Sequence, residues 1–205
     1  MYFNRIPLPL KKLYAPDALW LVETNEKDLF LTFDDGPDSE TTPDILKILD
    51  EYEAKATFFC IGEKVSKQPK TYCEILKRGH TAGNHTNSHL NGWDTPLDDY
   101  ICDIEKCSAL IHSDLFRPPY GKITRKQYHY IRQKNKIIFW TAMTGDFDNK
   151  NSGEACLKNA IKNTRKGSIV VFHDNKKAKR NLEYALPRFL EYFKEKNYNF
   201  KAISY

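Results

Sequence analysis

A parallel α/β architecture is predicted for this chain by three features of its sequence. Short runs of β-branched and aromatic residues alternate with stretches of helical periodicity roughly seven times. Gly, Pro or a capping residue punctuates these segments, as at Gly36, Gly62, Gly79 and Pro118. The chemistry-bearing residues Asp34, Asp35, His85, Arg117, Asp146 and His173 each follow a predicted strand. In a closed parallel barrel all such ends open on one face, where those barrels gather their reactive groups.

Pro7, Pro9 and Pro16 make residues 1–17 an extended arm packed on the barrel, leaving 18–205 as one domain. Residues 18–22 read as a first strand and 25–28 as a turn. The apolar run 29–33 is a buried strand that stops at two carboxylates followed by Gly36-Pro37, a turn signal. Thr42, Pro43 and Asp44 form an N-cap, a first-turn proline and an adjacent acid. The helix they open presents Ile45, Leu46, Ile48 and Leu49 to the sheet and ends near Glu53.

Residues 56–61 form the next strand and 69–78 a helix stopped by Gly79. A short strand at 81–84 delivers His85. The longest clear helix starts at Thr95-Pro96, with Leu97, Ile101, Ile104 and Ile111 as core positions. Further strands are predicted at 115–117, 137–140, 168–172 and 200–203, and helices at 124–134, 152–164 and 182–196. Pro187 is expected to kink or split the last helix.

The chain has 205 residues, 40% hydrophobic and 29% charged, ordinary proportions for one domain with a substantial core. Its net charge is +5. Lys11-Lys12 and the group Lys176, Lys177, Lys179, Arg180 read as solvated surface, so no nucleic-acid partner is expected, only a weak attraction for anionic polymers. The five cysteines form no C-x-x-C unit, their odd number leaves at least one unpaired within a monomer, and most read as buried free thiols, which favours a reducing compartment. Cys102 and Cys107 are spaced to face apart on their helix. Residues 1–20 hold no continuous apolar segment and no run is long enough to span a membrane, so neither a signal peptide nor a membrane span is expected.

Asp34 and Asp35 end a strand, and consecutive strand residues point to opposite sides. One could bind a metal while the other handles a proton. Alone, Asp-Asp-Gly-Pro would be a polar turn. His85 and His89, on a helical turn, would place both rings within reach of one cation. Thr86 stands where a zincin needs Glu, which excludes that mechanism. Two imidazoles and one carboxylate with an open position suit a catalytic zinc.

Five segments occur in order: Thr32-Phe33-Asp34-Asp35-Gly36-Pro37, His85-x-x-x-His89, Arg117-Pro118-Pro119-Tyr120-Gly121, Asp146-Phe147 and Val171-Phe172-His173-Asp174. Over residues 29–173 the chain thereby resembles the NodB-type polysaccharide deacetylases, carbohydrate esterase family 4. The resemblance implies a single-domain distorted (β/α)7 TIM-like barrel. It assigns one divalent metal, zinc foremost and cobalt or another ion otherwise, to Asp35, His85 and His89. Asp34 would be the general base, oriented by Arg117, and the Tyr120 N–H would face the oxyanion. His173 would be the general acid, paired with Asp146 and with Asp174 as the alternative partner.

Phe147 stands where that family commonly has Trp, and Val171 where it usually has Leu; both would wall the groove around an acetyl methyl group. Trp93 is the aromatic candidate for sugar stacking, against an equal alternative of a loop tryptophan folded inward. The activity implied is removal of N-acetyl groups from N-acetylglucosamine-containing poly- or oligosaccharide, peptidoglycan or chitin-like, by a monomer. The alternatives are an O-acetyl sugar esterase, another C–N hydrolase such as a deformylase, or, from a different class, a silent sugar-binding module. The resemblance pulls toward the cell envelope, whereas the missing leader and the thiols pull toward the cytoplasm.

Overall fold

The computed structural model describes residues 13–204; residues 1–12 of the expected arm and Tyr205 lie outside the described residues. Seven parallel strands form a curled sheet: β1 (Asp28–Asp34), β2 (Ala56–Cys60), β3 (Thr81–Asn84), β4 (Leu115–Phe116), β5 (Lys136–Ile137), β6 (Ala142–Met143) and β7 (Ile169–His173). Their spatial order is β5-β4-β3-β2-β1-β7-β6, and β8 (Asn199–Phe200) pairs with the start of β1. The helices between them are α1 (Thr41–Glu51), α2 (Gly62–Lys67), α3 (Pro69–Lys77), α4 (Leu97–Ser108), α5 (Arg125–Ile131), α6 (Gly153–Asn163) and α7 (Lys179–Lys194). This is the distorted (β/α)7 barrel expected.

The pleat of β1 divides the core in two. Leu29, Leu31 and Phe33 pack outward with Ile45, Leu46 and Leu49 of α1 and Leu186 and Phe189 of α7. Phe30 points inward with Phe59, Phe116, Ile138 and Val171. Each fully buried side chain of this size contributes about 1.5–3 kcal/mol. Thr32 and Asp34 share the inward side with Phe30, so the barrel has an apolar floor and a polar mouth.

Residues 18–22 are not a strand. Leu19 bridges Ile138 in the parallel sense and Leu21 bridges Ser168 in the antiparallel sense. The Leu19 N–H donates to Ile137 O at 2.9 Å, Phe139 N–H to Leu19 O at 2.8 Å and Val22 N–H to Gly167 O at 2.9 Å. The segment crosses the seam beside β5 and β7 and changes partner within two residues, so no ladder can extend along it. Pro187 lies inside an unbroken α7 rather than splitting it. The carbonyl it leaves without a donor belongs to exposed Glu183, where water can take the bond. On α4 the core face is Tyr100, Ile104 and Cys107, while Leu97 and Ile101 are only half-buried. Cys102 is exposed and Cys107 buried, as their spacing implied. Among the described residues no helix is long and apolar enough to cross a membrane.

Candidate metal centre and catalytic groove

Both carboxylates stand at the mouth of β1. Asp34 is buried and faces the barrel interior; Asp35, at φ 78°, turns toward the loop after β3. His85 and His89 do not lie on a helical turn. Residues 85–90 form an irregular loop with Thr86 and His89 at φ 64° and 59°. Side chains supply the bonds a helix would have made internally. The buried Asp103 carboxylate of α4 accepts the Asn87 and Ser88 N–H groups at 2.9 and 3.0 Å and the Ser88 hydroxyl at 2.7 Å. Asn84 Oδ1 accepts the Thr86 N–H at 2.8 Å.

That loop brings the two imidazoles to 5.1 Å between ring centres. Asp35 Oδ1 lies 3.0 Å from His89 Nε2 and 3.5 Å from His85 Nε2, and one donor atom from each residue lies within 4.8 Å of the others. His85 Nδ1 sits 2.7 Å from Arg117 O; a proton there is donated to the carbonyl, leaving Nε2 as a free lone pair. Asn175 Nδ2 donates to Asp35 Oδ2 at 2.8 Å and fixes the carboxylate plane. Burial pushes the Asp35 carboxyl up, but the neighbouring imidazoles of His85 and His89 and the charge of His173 hold it well below the usual carboxylate range.

Arg117 is fully buried. Its Nη1 donates to Asp34 Oδ1 at 2.6 Å and Thr32 Oγ1 at 2.7 Å, Nη2 to Phe139 O at 3.1 Å and Nε to Ile138 O at 3.3 Å. The guanidinium lies 4.1 Å from the Phe59 ring centre. Burial lowers its pKa and Asp34 opposes that shift.

At the end of β7, His173 Nδ1 is 2.8 Å from Asp146 Oδ1, and the His173 N–H donates to Asp146 Oδ2 at 2.8 Å. Burial pulls this imidazole down, but the Asp146 charge and hydrogen bond, with Asp35 and Asp34 beyond, bring it up to about 9. Asp174 turns the other way and accepts from Thr42 Oγ1 at 2.8 Å. Burial pushes its carboxyl well up, against the Thr42 bond. A Cβ on Gly36 would fall 1.8 Å from Asp174 Oδ2, so only glycine lets the turn after Asp35 pack there.

One cavity of about 1180 Å³ takes in Asp34, Asp35, His85, His89, Tyr120 and His173. Tyr120 has φ 60°, and among the described residues no carbonyl takes up its N–H. Its ring packs 4.6 Å from His89. Phe147 lies 4.7 Å from the His173 ring and lines the cavity. Val171, expected in the groove wall, is instead fully buried: it sits on the same side of β7 as His173 but one layer lower. Trp140 and Met143 supply the wall there. Trp93 is 57% exposed on the rim, not folded inward. Trp140, Met143, Asn175 and Asp103 escaped the sequence reading. Only Asn175, two residues after His173, carried a positional signal.

The family model described as polysaccharide deacetylase matches residues 21–136, more than half of the chain. The chain belongs to the polysaccharide deacetylase family. As a member it is a carbohydrate deacetylase. Over 192 residues this deacetylase is 35% identical to the peptidoglycan-N-acetylglucosamine deacetylase of Bacillus cereus, covering 90% of each chain. It is 31% identical over 164 residues to the chitooligosaccharide deacetylase of Azorhizobium caulinodans, covering 75% of this chain and 76% of that one. A second Bacillus cereus protein of the first name is longer; the match spans 56% of it. Among solved structures, a peptidoglycan N-acetylglucosamine deacetylase in complex with 4-naphthalen-1-yl-N-oxidanyl-benzamide superposes with a TM-score of 0.87 at 30% identity, covering 97% of this chain and 95% of that chain.

Proposed function

We propose that this deacetylase is a metal-dependent hydrolase removing N-acetyl groups from N-acetylglucosamine-containing polysaccharide or oligosaccharide of the peptidoglycan or chitin type. The observation that carries this reading is the meeting of Asp35, His85 and His89 within 4.8 Å, flanked by the Arg117–Asp34 and Asp146–His173 pairs. The donor set fits a divalent cation: one ionised carboxylate held by Asn175, and two imidazoles, one with its Nε2 freed by the bond from Nδ1. A set of three such ligands leaves positions open for water and substrate and suits zinc first, cobalt next. The cation, when bound, supplies Lewis-acid polarisation of the amide carbonyl and acidity for water.

The chain's own residues do the rest. Asp34 takes the proton from the attacking water, and Arg117 pins one of its oxygens so that the other can face the groove. Water oxygen bonds to the carbonyl carbon while the Tyr120 N–H donates to the developing oxyanion. His173, cationic at neutral pH, gives its Nε2 proton to the amine nitrogen as the C–N bond breaks, releasing acetate and the free amino sugar. Asp146 keeps Nδ1 protonated, which points Nε2 at the leaving group. Phe147, Met143 and Trp140 offer the apolar surface for the acetyl methyl. Every group in this scheme comes from one chain, so a monomer suffices.

The substrate class is supported by relatives named for peptidoglycan N-acetylglucosamine, peptidoglycan N-acetylmuramic acid and chitooligosaccharide. Parallel assays of acetate release from N-acetylchitooligosaccharide, peptidoglycan fragments and acetylxylan test it. Release from the N-acetyl substrates supports the reading. Release from acetylxylan alone would make the enzyme an O-acetyl esterase, and no release from any would leave a sugar-binding module.

A further inference from the structure

The groove carries positive charge that the proposed chemistry does not use. Lys64, Lys122, Arg125, Lys176 and Lys177 all line it. Lys176 Nζ is paired with Glu40 at 3.1 Å; among the described residues no carboxylate is within ion-pair distance of the other four. Asp38, a further acid at the mouth, has Oδ1 engaged by the Glu40 and Thr41 N–H groups.

Of these cations Lys122 stands beside a fixed, exposed aromatic plane, and Arg125, three residues further on, lines the same cavity. Trp93 is 57% exposed, yet its indole N–H is held by Tyr14 OH and Ile123 O, each at 3.3 Å. Tyr14 OH in turn accepts the Ile123 N–H at 2.8 Å, tying the two loops together. Lys122 Nζ is 5.1 Å from the Trp93 ring centre and 5.9 Å from that of Tyr120, whose ring packs 4.6 Å from His89. The wall therefore runs outward from a metal-donor histidine through one aromatic ring to a cation and a second ring. A rigid indole face is what a pyranose stacks on, and an ammonium and a guanidinium without acidic partners among the described residues are what a carboxylate needs.

Resting on the deacetylase reading, we propose that Trp93, Lys122 and Arg125 form a subsite for a carboxylate-bearing sugar adjacent to the N-acetyl sugar at Asp35, His85 and His89. The enzyme then prefers an anionic glycan to a neutral one. The carboxylate can sit on the sugar itself, as an ether-linked acid, or on a peptide attached to it.

The test compares kcat/KM on three glycans of equal length. One carries the free ether-linked carboxylate, one has that carboxylate reduced to the alcohol, and one carries it capped by a peptide with its own carboxylates. The wild type should favour one or both anionic glycans over the reduced one by at least about fivefold, through KM, shrinking as salt is raised. Which anionic glycan is favoured identifies the source of the charge. In the Lys122→Gln/Arg125→Gln variant the ratio should fall toward one. The Lys70→Gln/Lys158→Gln variant, which removes two remote cations, should keep it.

Equal rates on all three glycans overturn the subsite and leave the deacetylase intact. So does a ratio that falls equally in the remote variant, because bulk charge then explains it. No acetate from any of the three overturns the deacetylase reading and the subsite with it.

Discussion

Replacing Asp34 with Asn separates chemistry from metal binding and carries a stability cost that follows from its partner. Arg117 is fully buried, and the carboxylate that faces it is Asp34, 2.6 Å from Nη1. An Asn in that place keeps the shape and still offers an oxygen to Nη1, but it removes the charge. Deleting one partner of a buried pair costs about 3–5 kcal/mol. Thr32 Oγ1 and the carbonyls of Ile138 and Phe139 remain as acceptors. The expected loss is therefore about 3 kcal/mol, or roughly 6–12 °C in melting temperature for a chain of this size. Removing the base should lower kcat by a further ~10²–10⁴-fold. Asp34 is not one of the clustered donors, so metal content should stay at the wild-type level. Acetate release, a thermal melt and elemental analysis read the three quantities. Turnover within tenfold of wild type, an unchanged melt or loss of metal would each refute the reasoning.

Three other substitutions follow from the same geometry. His89→Ala should purify with far less divalent metal than the wild type, measured by elemental analysis; equal metal would remove His89 from the ligand set. In wild type the activity that depends on cationic His173 should fall as pH rises past about 9. In Asp146→Asn that alkaline limb should move toward the ordinary imidazole value of about 6.5, and a limb that stays put would dissociate the pair. The same linkage has a stability sign. The folded pKa lies above the unfolded one, so the pair's stabilisation is full below about 6.5 and is lost as pH rises through about 9, as melts across pH would show. Gly36→Ala puts a methyl group 1.8 Å from Asp174 Oδ2 and should cost about 1–3 kcal/mol while displacing Asp35, so stability and metal affinity fall together. An unchanged melt would show that the turn can shift freely.

What was legible in the sequence follows from how each feature is encoded. β1, β2, β3 and β7 are continuous apolar runs or short strands bounded by turn residues, and they appear where periodicity and punctuation placed them. Residues 18–22 have the composition of a strand, but composition does not say that their partners change at a barrel seam. α2 is six residues long with one buried apolar side chain, Val65, too short for a 3.6-residue period to register. The spacing of His85 and His89 correctly joined them and suggested the wrong backbone. The bonds that bend this loop come from Asp103, and nothing local links position 103 to position 88. Val171 shows the limit of carrying a motif over by position: two residues before His173 on a strand is the same face, yet one layer too deep to reach the groove. Trp140 and Met143 carry no spacing pattern of their own and became visible only when the strand ends met, whereas Asn175 had its place two residues after His173 as a signal.

The most direct test is to strip the purified protein with a chelator, restore zinc in measured equivalents, and follow acetate release from an N-acetylglucosamine oligomer at each step. Activity that vanishes on stripping and returns in full at one equivalent is the predicted result. Stripped protein that works as well as untreated protein, or restored protein that releases no acetate, would contradict the account at its centre.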